Sequence, residues 1–125
     1  MITAALVDSG HDGTWADGLL ADEQLAAPHL MPVEVANILR RAVLLDDISA
    51  DSAALAHADL LNLRAELFAY EPFAPRVWEL RHNLTAYDAW YVAIAEALNA
   101  PLATLDRRLA SASGTRCSFT TPTTL

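Results

Sequence analysis

Three carboxylates stand where apolar segments of the chain begin or end: Glu34 in "PVEVANIL", Asp88 in "TAYDAWYV" and Asp106 in "LATLD". Carboxylates that lie close together repel one another unless a cation neutralises them. Oxygen ligands without a cluster of histidine or cysteine indicate Mg²⁺ or Mn²⁺ rather than a softer metal. Such a site activates water and stabilises charge at a phosphodiester. The pattern therefore predicts a metal site built from these three residues.

Each carboxylate also has an explanation that involves no metal. Glu34 and Asp88 would lie in the first turns of helices, where negative charge interacts favourably with the helix dipole. Asp106 could cap a helix that begins at Arg107. For a single carboxylate both interpretations stay open. Three carboxylates that meet at one edge of a sheet favour the metal site.

The elements that must position these residues alternate between strand and helix. Helices are predicted over 12–23, 31–47, 50–64, 74–84 and 85–100, and strands over 24–30, 65–73, 101–106 and 117–122. This alternation is typical of an α/β fold with a parallel sheet and helices on both faces. Ligands bind beyond the carboxyl ends of the strands in such sheets. All three carboxylates fall at that edge.

The segment 85–100 is apolar around almost its whole circumference, and such a helix is normally buried. Thr85 is its predicted N-cap, and Ser49 is predicted to cap the helix over 50–64. One stripe of the segment 85–100 contains its larger apolar residues, Tyr87, Trp90, Tyr91, Ile94 and Leu98. The same spacing argument predicts burial of large residues in the two helices over 31–64: Val35, Ile38, Leu39, Leu45, Leu55, Leu60 and Leu63.

Composition bounds the class of protein. A chain of 125 residues with 54% hydrophobic content suits a single domain with its own core. The single cysteine, Cys117, and an N-terminus without a basic signal region predict a cytoplasmic protein. The net charge of −8 argues against binding nucleic acid through overall charge. The chain has no lysine, which excludes a P-loop and a Schiff-base enzyme.

Three blocks of the chain share their order and spacing with a known family: "PHLMPVEVANILRRAVL", "LRHNLTAYDAWYVAIAEAL" and "PLATLDRRLA". Together they resemble the VapC-like toxins of the PIN-domain ribonuclease family over nearly the whole chain. The resemblance implies a three-layer α/β/α fold with a parallel sheet. It also implies a magnesium-dependent endoribonuclease, the toxin of a type II toxin–antitoxin module, which forms a homodimer, cleaves RNA and is silenced by a VapB-like antitoxin. The family's catalytic metal ligands map onto Glu34, Asp88 and Asp106.

The N-terminus departs from the family's pattern. The family opens with a strand that ends in an aspartate, in a stretch like "VDASAL", whereas "AALVDSG" here aligns with the helix after that strand and the following loop. On this alignment the family's first ligand would lie upstream of Met1. We therefore expect residues 1–125 to form a single PIN-like domain that lacks its first strand. Asp8 and Asp12 are not expected to bind the metal.

Three further residues stand near the predicted ligands. Asn37 lies one turn after Glu34, so both can face the same side and Asn37 could support the site. Thr85 could hydrogen-bond a carboxylate or water, although capping explains it equally well. Arg81 could meet a phosphate of the substrate or form an ion pair on the surface.

Two functions from different classes follow. The first is a metal-dependent endoribonuclease toxin whose carboxylates align water for phosphodiester cleavage. The alternative is a catalytically impaired PIN-like domain that only binds, and so titrates, the cognate antitoxin. Three matched ligands support the first function, and the missing first carboxylate supports the second.

Overall fold

The computed structural model describes residues 25–104 and 107–120. Three sequence-based expectations fall elsewhere in the chain. The predicted helix over 12–23 and the interpretation of the N-terminus, including Asp8 and Asp12, lie outside the described residues. So does the predicted metal ligand Asp106.

The described elements contain the predicted alternation of helix and strand. In chain order they are β1 (Leu25–Pro28), α1 (Met31–Leu44), α2 (Ala50–Leu61), β2 (Ala65–Phe68), a 3₁₀ helix (Glu71–Phe73), α3 (Ala74–Glu79), α4 (Ala86–Leu98), β3 (Leu102–Ala103), α5 (Arg107–Ala110) and β4 (Phe119–Thr120). Most are shorter than predicted, and α3 ends at Glu79 rather than continuing to residue 84. Within these ranges no helix has the length and apolarity needed to cross a membrane.

The chain divides into two compact units by its internal contacts. The first unit contains Leu25 and Leu30–Glu66, and the second contains Ala26–His29 with the described residues from Leu67 onward. Glu34 therefore belongs to the first unit, and Asp88 belongs to the second.

Helices α1 and α2 pack against each other in the first unit. Pro32 lies in the first turn of α1, where its missing N–H leaves no hydrogen bond unmade. Ser49 caps α2 as predicted, because its hydroxyl accepts a hydrogen bond of 3.0 Å from the Ser52 N–H. The buried residues of the two helices are Met31, Val35, Leu39, Ala56 and Leu60.

Three predicted burials in the first unit are wrong. The side chains of Ile38, Leu45 and Leu55 are 48%, 67% and 69% exposed. Leu45 lies beyond the end of α1, so it no longer follows the helical spacing that predicted its burial. In α2 the buried face passes through Ala56 instead of Leu55, which places the smaller residue against the neighbouring helix.

Two short sheets lie among the described residues. Strand β1 pairs with β2, and the His29 N–H donates to the Phe68 carbonyl at 3.0 Å. Strands β3 and β4 pair in parallel, with Leu102 opposite Phe119. The Thr104 N–H donates to the Thr120 carbonyl at 3.0 Å and extends this ladder by one residue. The parallel direction of the β3–β4 pair is as predicted.

Helix α4 is the centre of the second unit. Its buried residues are Ala89, Val92, Ala93, Ile94 and Ala95. The first three form one cluster with Val77, Leu80 and Leu109. The predicted stripe of large residues is buried only in part: Ile94 is 3% exposed, whereas Tyr87 and Leu98 are 56% and 46% exposed. The core cluster uses the smaller side chains Ala89, Val92 and Ala93 at positions i, i+3 and i+4, which lie on one side of a helix.

Candidate functional site

Asp88 lies in the first turn of α4, and the helix cap holds its backbone. The Thr85 hydroxyl accepts a hydrogen bond of 3.2 Å from the Asp88 N–H, as the sequence predicted. Asp88 is half-buried. Its carboxylate therefore lies on the turn where the helix dipole favours negative charge.

Glu34 occupies the equivalent position in α1. It lies in the first turn of the helix, two residues after Pro32, and it is half-buried. Asn37 follows one turn later, is exposed, and accepts a hydrogen bond of 3.5 Å from the Arg40 guanidinium. The structure thus gives Asn37 a contact along its own helix, and its predicted role beside Glu34 stays a prediction.

The structure does not place the three predicted ligands together in one described unit. Glu34 and Asp88 belong to different units, and Asp106 lies outside the described residues. Across residues 25–104 and 107–120, no three His, Cys, Asp or Glu side chains form a group that could hold a metal ion. The convergence of the three carboxylates therefore stays a prediction. The chemistry of the set, oxygen ligands alone, suits Mg²⁺ or Mn²⁺.

Thr104 is the buried polar residue nearest to Asp106 in the chain. Its side chain is 7% exposed, and its N–H belongs to the ladder that joins β3 to β4. Asp106 follows two residues later, beyond the end of β3. Because Asp106 is outside the described residues, its predicted place at the end of the strand stays a prediction.

Arg81 stacks on an exposed aromatic ring. Its guanidinium carbon lies 4.7 Å from the centre of the Trp78 ring, and its Nη1 donates to the Trp78 carbonyl at 2.8 Å. The structure shows no ion pair of Arg81 with a described carboxylate. Sequence reasoning considered Arg81 but missed Trp78, although their i, i+3 spacing predicts contact on a helical turn.

The arrangement around Arg76 and Glu96 was also missed from the sequence. Arg76 donates from Nε and Nη2 to the two carboxylate oxygens of Glu96, at 2.7 and 3.1 Å. Glu96 also accepts from the Arg116 N–H at 2.7 Å, and Arg76 donates to the Gly114 carbonyl at 2.7 Å. These bonds fasten the segment before β4 to helices α3 and α4.

The same bonds change the proton affinity of both partners. Burial by itself would raise the pKa of Glu96, but the hydrogen bonds from Arg76 and from the Arg116 backbone outweigh burial and hold that pKa below its usual range. The pKa of Arg76 is raised, chiefly by its hydrogen bond to Glu96. The pair is therefore fully charged at neutral pH.

A cavity of about 410 Å³ lies beside the C-terminal half of α4. Its lining residues are Ala95, Glu96, Asn99, Ala100, Arg116, Cys117 and Ser118. Asp88 precedes Glu96 by eight residues, so the two Cα atoms are separated by about 12 Å along the helix axis. Burial, followed by the charge of Glu96, raises the pKa of the Cys117 thiol. A thiol with a raised pKa is a poor nucleophile at neutral pH. Neither Glu34 nor Asp88 lines the cavity, so we do not identify it with the candidate catalytic site.

Comparison with known proteins assigns the family. The model of the PIN domain matches residues 2–114. The chain is 44% identical over 119 residues to Ribonuclease VapC1 of Mycobacterium tuberculosis, covering 94% of this chain and 90% of that protein. It is 40% identical over 118 residues to VapC ribonuclease Mb0985 of Mycobacterium bovis, covering 94% and 92%.

The chain belongs to the PIN-domain family. Within that family its relatives are VapC proteins, and a third, Ribonuclease VapC12 of Mycobacterium tuberculosis, is 37% identical over 95 residues, which cover 76% of this chain and 74% of that protein. The match confirms the resemblance found in the sequence and the predicted α/β class.

Proposed function

We propose that this chain is a metal-dependent endoribonuclease and the toxin of a type II toxin–antitoxin module. The observation that carries the proposal is 44% identity, over 94% of the chain, to a protein named as a ribonuclease. The placement of Glu34 and Asp88 in the first turns of α1 and α4 supports it. Both helix starts are fixed locally, by Pro32 and by the Thr85 cap.

Glu34, Asp88 and Asp106 are the residues proposed to hold Mg²⁺ or Mn²⁺. When bound, such a cation activates water and neutralises charge at the phosphodiester. The chain's own contribution would be to present anionic oxygens from two helix starts, where the backbone holds Glu34 and Asp88, together with the carboxylate of Asp106. Thr85 fixes the backbone of Asp88, and Asn37 is proposed to support Glu34 from the next turn.

The metal requirement is tested by cleavage of a fluorescent single-stranded RNA of mixed sequence. We expect the purified chain to cleave this RNA in the presence of Mg²⁺ or Mn²⁺. Cleavage should stop when EDTA is added and resume when the metal is restored. Circular dichroism in EDTA checks that the chain stays folded. Cleavage that continues at the same rate in EDTA would contradict a metal-dependent mechanism.

The proposed partner is a VapB-like antitoxin, and the first unit offers a surface for it. Five large apolar side chains there are between 62% and 70% exposed: Val33, Leu44, Leu45, Leu55 and Leu61. Contiguous exposed apolar side chains mark protein interaction surfaces, and we propose that these five contribute to such a surface. A basic segment of the antitoxin near Asp88 would be attracted by the net charge of −8.

Capture of the co-expressed small protein encoded beside this chain tests the partner. We expect stable co-purification, and we expect the double variant L55S/L61S to weaken it at least about 10-fold, because these side chains lose apolar burial at the interface. L98A, which changes an exposed leucine of the second unit, is the control. Capture that is unaffected by L55S/L61S would place the antitoxin elsewhere. Capture by a chain that never cleaves RNA would favour the titrating role.

A homodimer and a cytoplasmic location complete the proposal. Sedimentation at several concentrations distinguishes a dimer of the chain alone from one that forms only with the antitoxin. A monomer at every concentration would contradict the homodimer without affecting the proposed chemistry.

A further inference from the structure

The Trp78–Arg81 pair is an exposed stack of an aromatic ring and a guanidinium. Trp78 is 66% exposed, which is unusual for the residue type with the largest apolar surface. Arg81 lies over the ring at 4.7 Å from its centre. Among the described residues, Trp78 is neither in the core cluster of the second unit nor packed against it.

The backbone beneath the pair is held firmly. Val77 precedes Trp78 and Leu80 precedes Arg81 in the chain. They are 3% and 2% exposed and belong to the core cluster. The Asn83 side-chain amide donates to the Ser113 carbonyl at 3.1 Å, and Arg81 Nη1 donates to the Trp78 carbonyl at 2.8 Å. The stack is therefore positioned before any ligand arrives, which reduces the entropy that binding would cost.

Arg81 and Arg76 carry the same positive charge but differ in their charged partners. Arg76 is bonded to the carboxylates of Glu79 and Glu96, whereas the structure gives Arg81 no carboxylate partner among the described residues. A guanidinium has five N–H donors, and one carbonyl uses only one of them. Arg81 thus presents positive charge and free donors on a chain whose net charge is −8.

We propose that Trp78 and Arg81 form a stacking site for a base of single-stranded RNA, with the Arg81 guanidinium also contacting the adjacent phosphate. Single-stranded RNA is bound by aromatic and guanidinium planes that stack on bases, together with cations that follow the backbone. Arg81 precedes Asp88 by seven residues, which limits their separation to about 25 Å of extended chain. This inference rests on the proposed ribonuclease function and assigns these two residues the positioning of its substrate.

The test measures binding of a fluorescent single-stranded RNA of mixed sequence in EDTA, by anisotropy. W78A should raise the Kd about 5- to 100-fold, since one base stacked on an aromatic ring contributes on this scale, and W78F should raise it less. R81A should reduce the slope of log Kd against log salt concentration by about 0.7, the value for one phosphate contact on a single strand. R81K should keep the slope but bind more weakly, because an ammonium cannot stack as a plane.

Matched controls separate this role from general effects. L98A removes another exposed apolar side chain of the second unit, and R116A removes another exposed arginine of the same unit. Both should leave the Kd and the salt slope unchanged. In cleavage assays with Mg²⁺, W78A should raise KM and leave kcat nearly unchanged, whereas a variant that damaged the fold would lower both kcat and the melting temperature.

The outcomes distinguish this inference from the proposed function. A wild-type chain that cleaves RNA while W78A and R81A bind and cleave equally well would overturn the stacking site alone. A change in self-association or antitoxin capture with an unchanged RNA Kd would show that the pair is a protein contact, and would also overturn it. A wild-type chain that neither binds nor cleaves RNA would overturn the proposed function together with this inference.

Discussion

Among single residues, Glu96 makes the contact with the clearest consequence for stability. Its folded-state pKa is held below its usual range, so its contacts stabilise the fold above the unfolded value of about 4.3. That stabilisation is lost as the pH falls through the folded-state pKa. We expect the melting temperature to drop over this acidic interval, and a Glu96→Gln variant to show a smaller drop. Thermal melts from pH 3 to pH 7 measure both.

A neighbouring glutamate supplies the control. Glu79 lies 3.1 Å from the same arginine, but its side chain is 61% exposed, and exposed ion pairs contribute little. At pH 7, E96Q should lower the free energy of unfolding by about 1–3 kcal/mol, because it removes the anion and replaces one of two accepting oxygens with an NH₂ that cannot accept from Arg76 or the Arg116 N–H. E79Q should have a much smaller effect. Equal losses in the two variants would show that burial of Glu96 is unimportant.

The sequence predicted residue positions that depend on near neighbours, but not contacts between distant residues. Glu34, Asp88 and Thr85 stand at helix starts, as local rules predict, since caps and first-turn charges depend only on neighbouring residues. The Arg76–Glu96 pair joins residues 20 positions apart, and no local spacing predicts it. The exposure of Trp78 depends on which face of a six-residue helix packs inward, which the types of its residues do not decide.

At the level of elements, the N-cap of α4 should affect both the stability of the fold and the position of Asp88 in the candidate site. Thr85→Ala should lower the free energy of unfolding by about 1 kcal/mol, because the Asp88 N–H loses its acceptor, and it should also slow RNA cleavage. Thr85→Ser keeps the hydroxyl and should restore both. Chemical denaturation and the cleavage assay are the measurements.

Ser49 provides the matched helix cap in the first unit. It caps α2 in the same manner, and S49A should therefore cost a similar amount of stability. It should leave the cleavage rate unchanged, because no predicted ligand lies in the first turn of α2. If S49A and T85A slowed cleavage equally, the effect of the Thr85 cap would be one of stability alone.

The sequence predicted that α4 is a buried helix, but it did not predict which side of the helix faces the core. Apolar residues around its whole circumference correctly indicated an element in the interior of a unit. That same uniformity removed the polar face that would have identified the outer side. The small residues Ala89, Val92 and Ala93 turned inward, and Tyr87 remained exposed.

At the scale of the whole molecule, the sequence predicted the fold class better than the assembly of the site. Alternation of helix and strand needs only local patterns, and the family match confirms the class it indicated. Convergence of Glu34, Asp88 and Asp106 depends on long-range packing of segments far apart in the chain. Its support comes from the positions of Glu34 and Asp88 at helix starts and from the family resemblance.

The central claim is that Asp88 serves metal-dependent cleavage and does not merely complement a helix dipole. Asp51 is the matched control, because it also lies in the first turn of a capped helix, α2. D88N and D51N should therefore change the free energy of unfolding by similar small amounts, about 0.3–1 kcal/mol. E34Q and D106N should behave like D88N in the cleavage assay.

The decisive measurement is the rate of Mg²⁺-dependent RNA cleavage by D88N relative to D51N under identical conditions. We expect D88N to be slower by at least about 100-fold, because a lost metal ligand costs no less than a lost residue that supports one. D51N should stay within about twofold of the wild-type rate, with both variants folded by circular dichroism. Equal cleavage rates for D88N and D51N would contradict the metal-binding role of Asp88 and leave it as a helix-start residue.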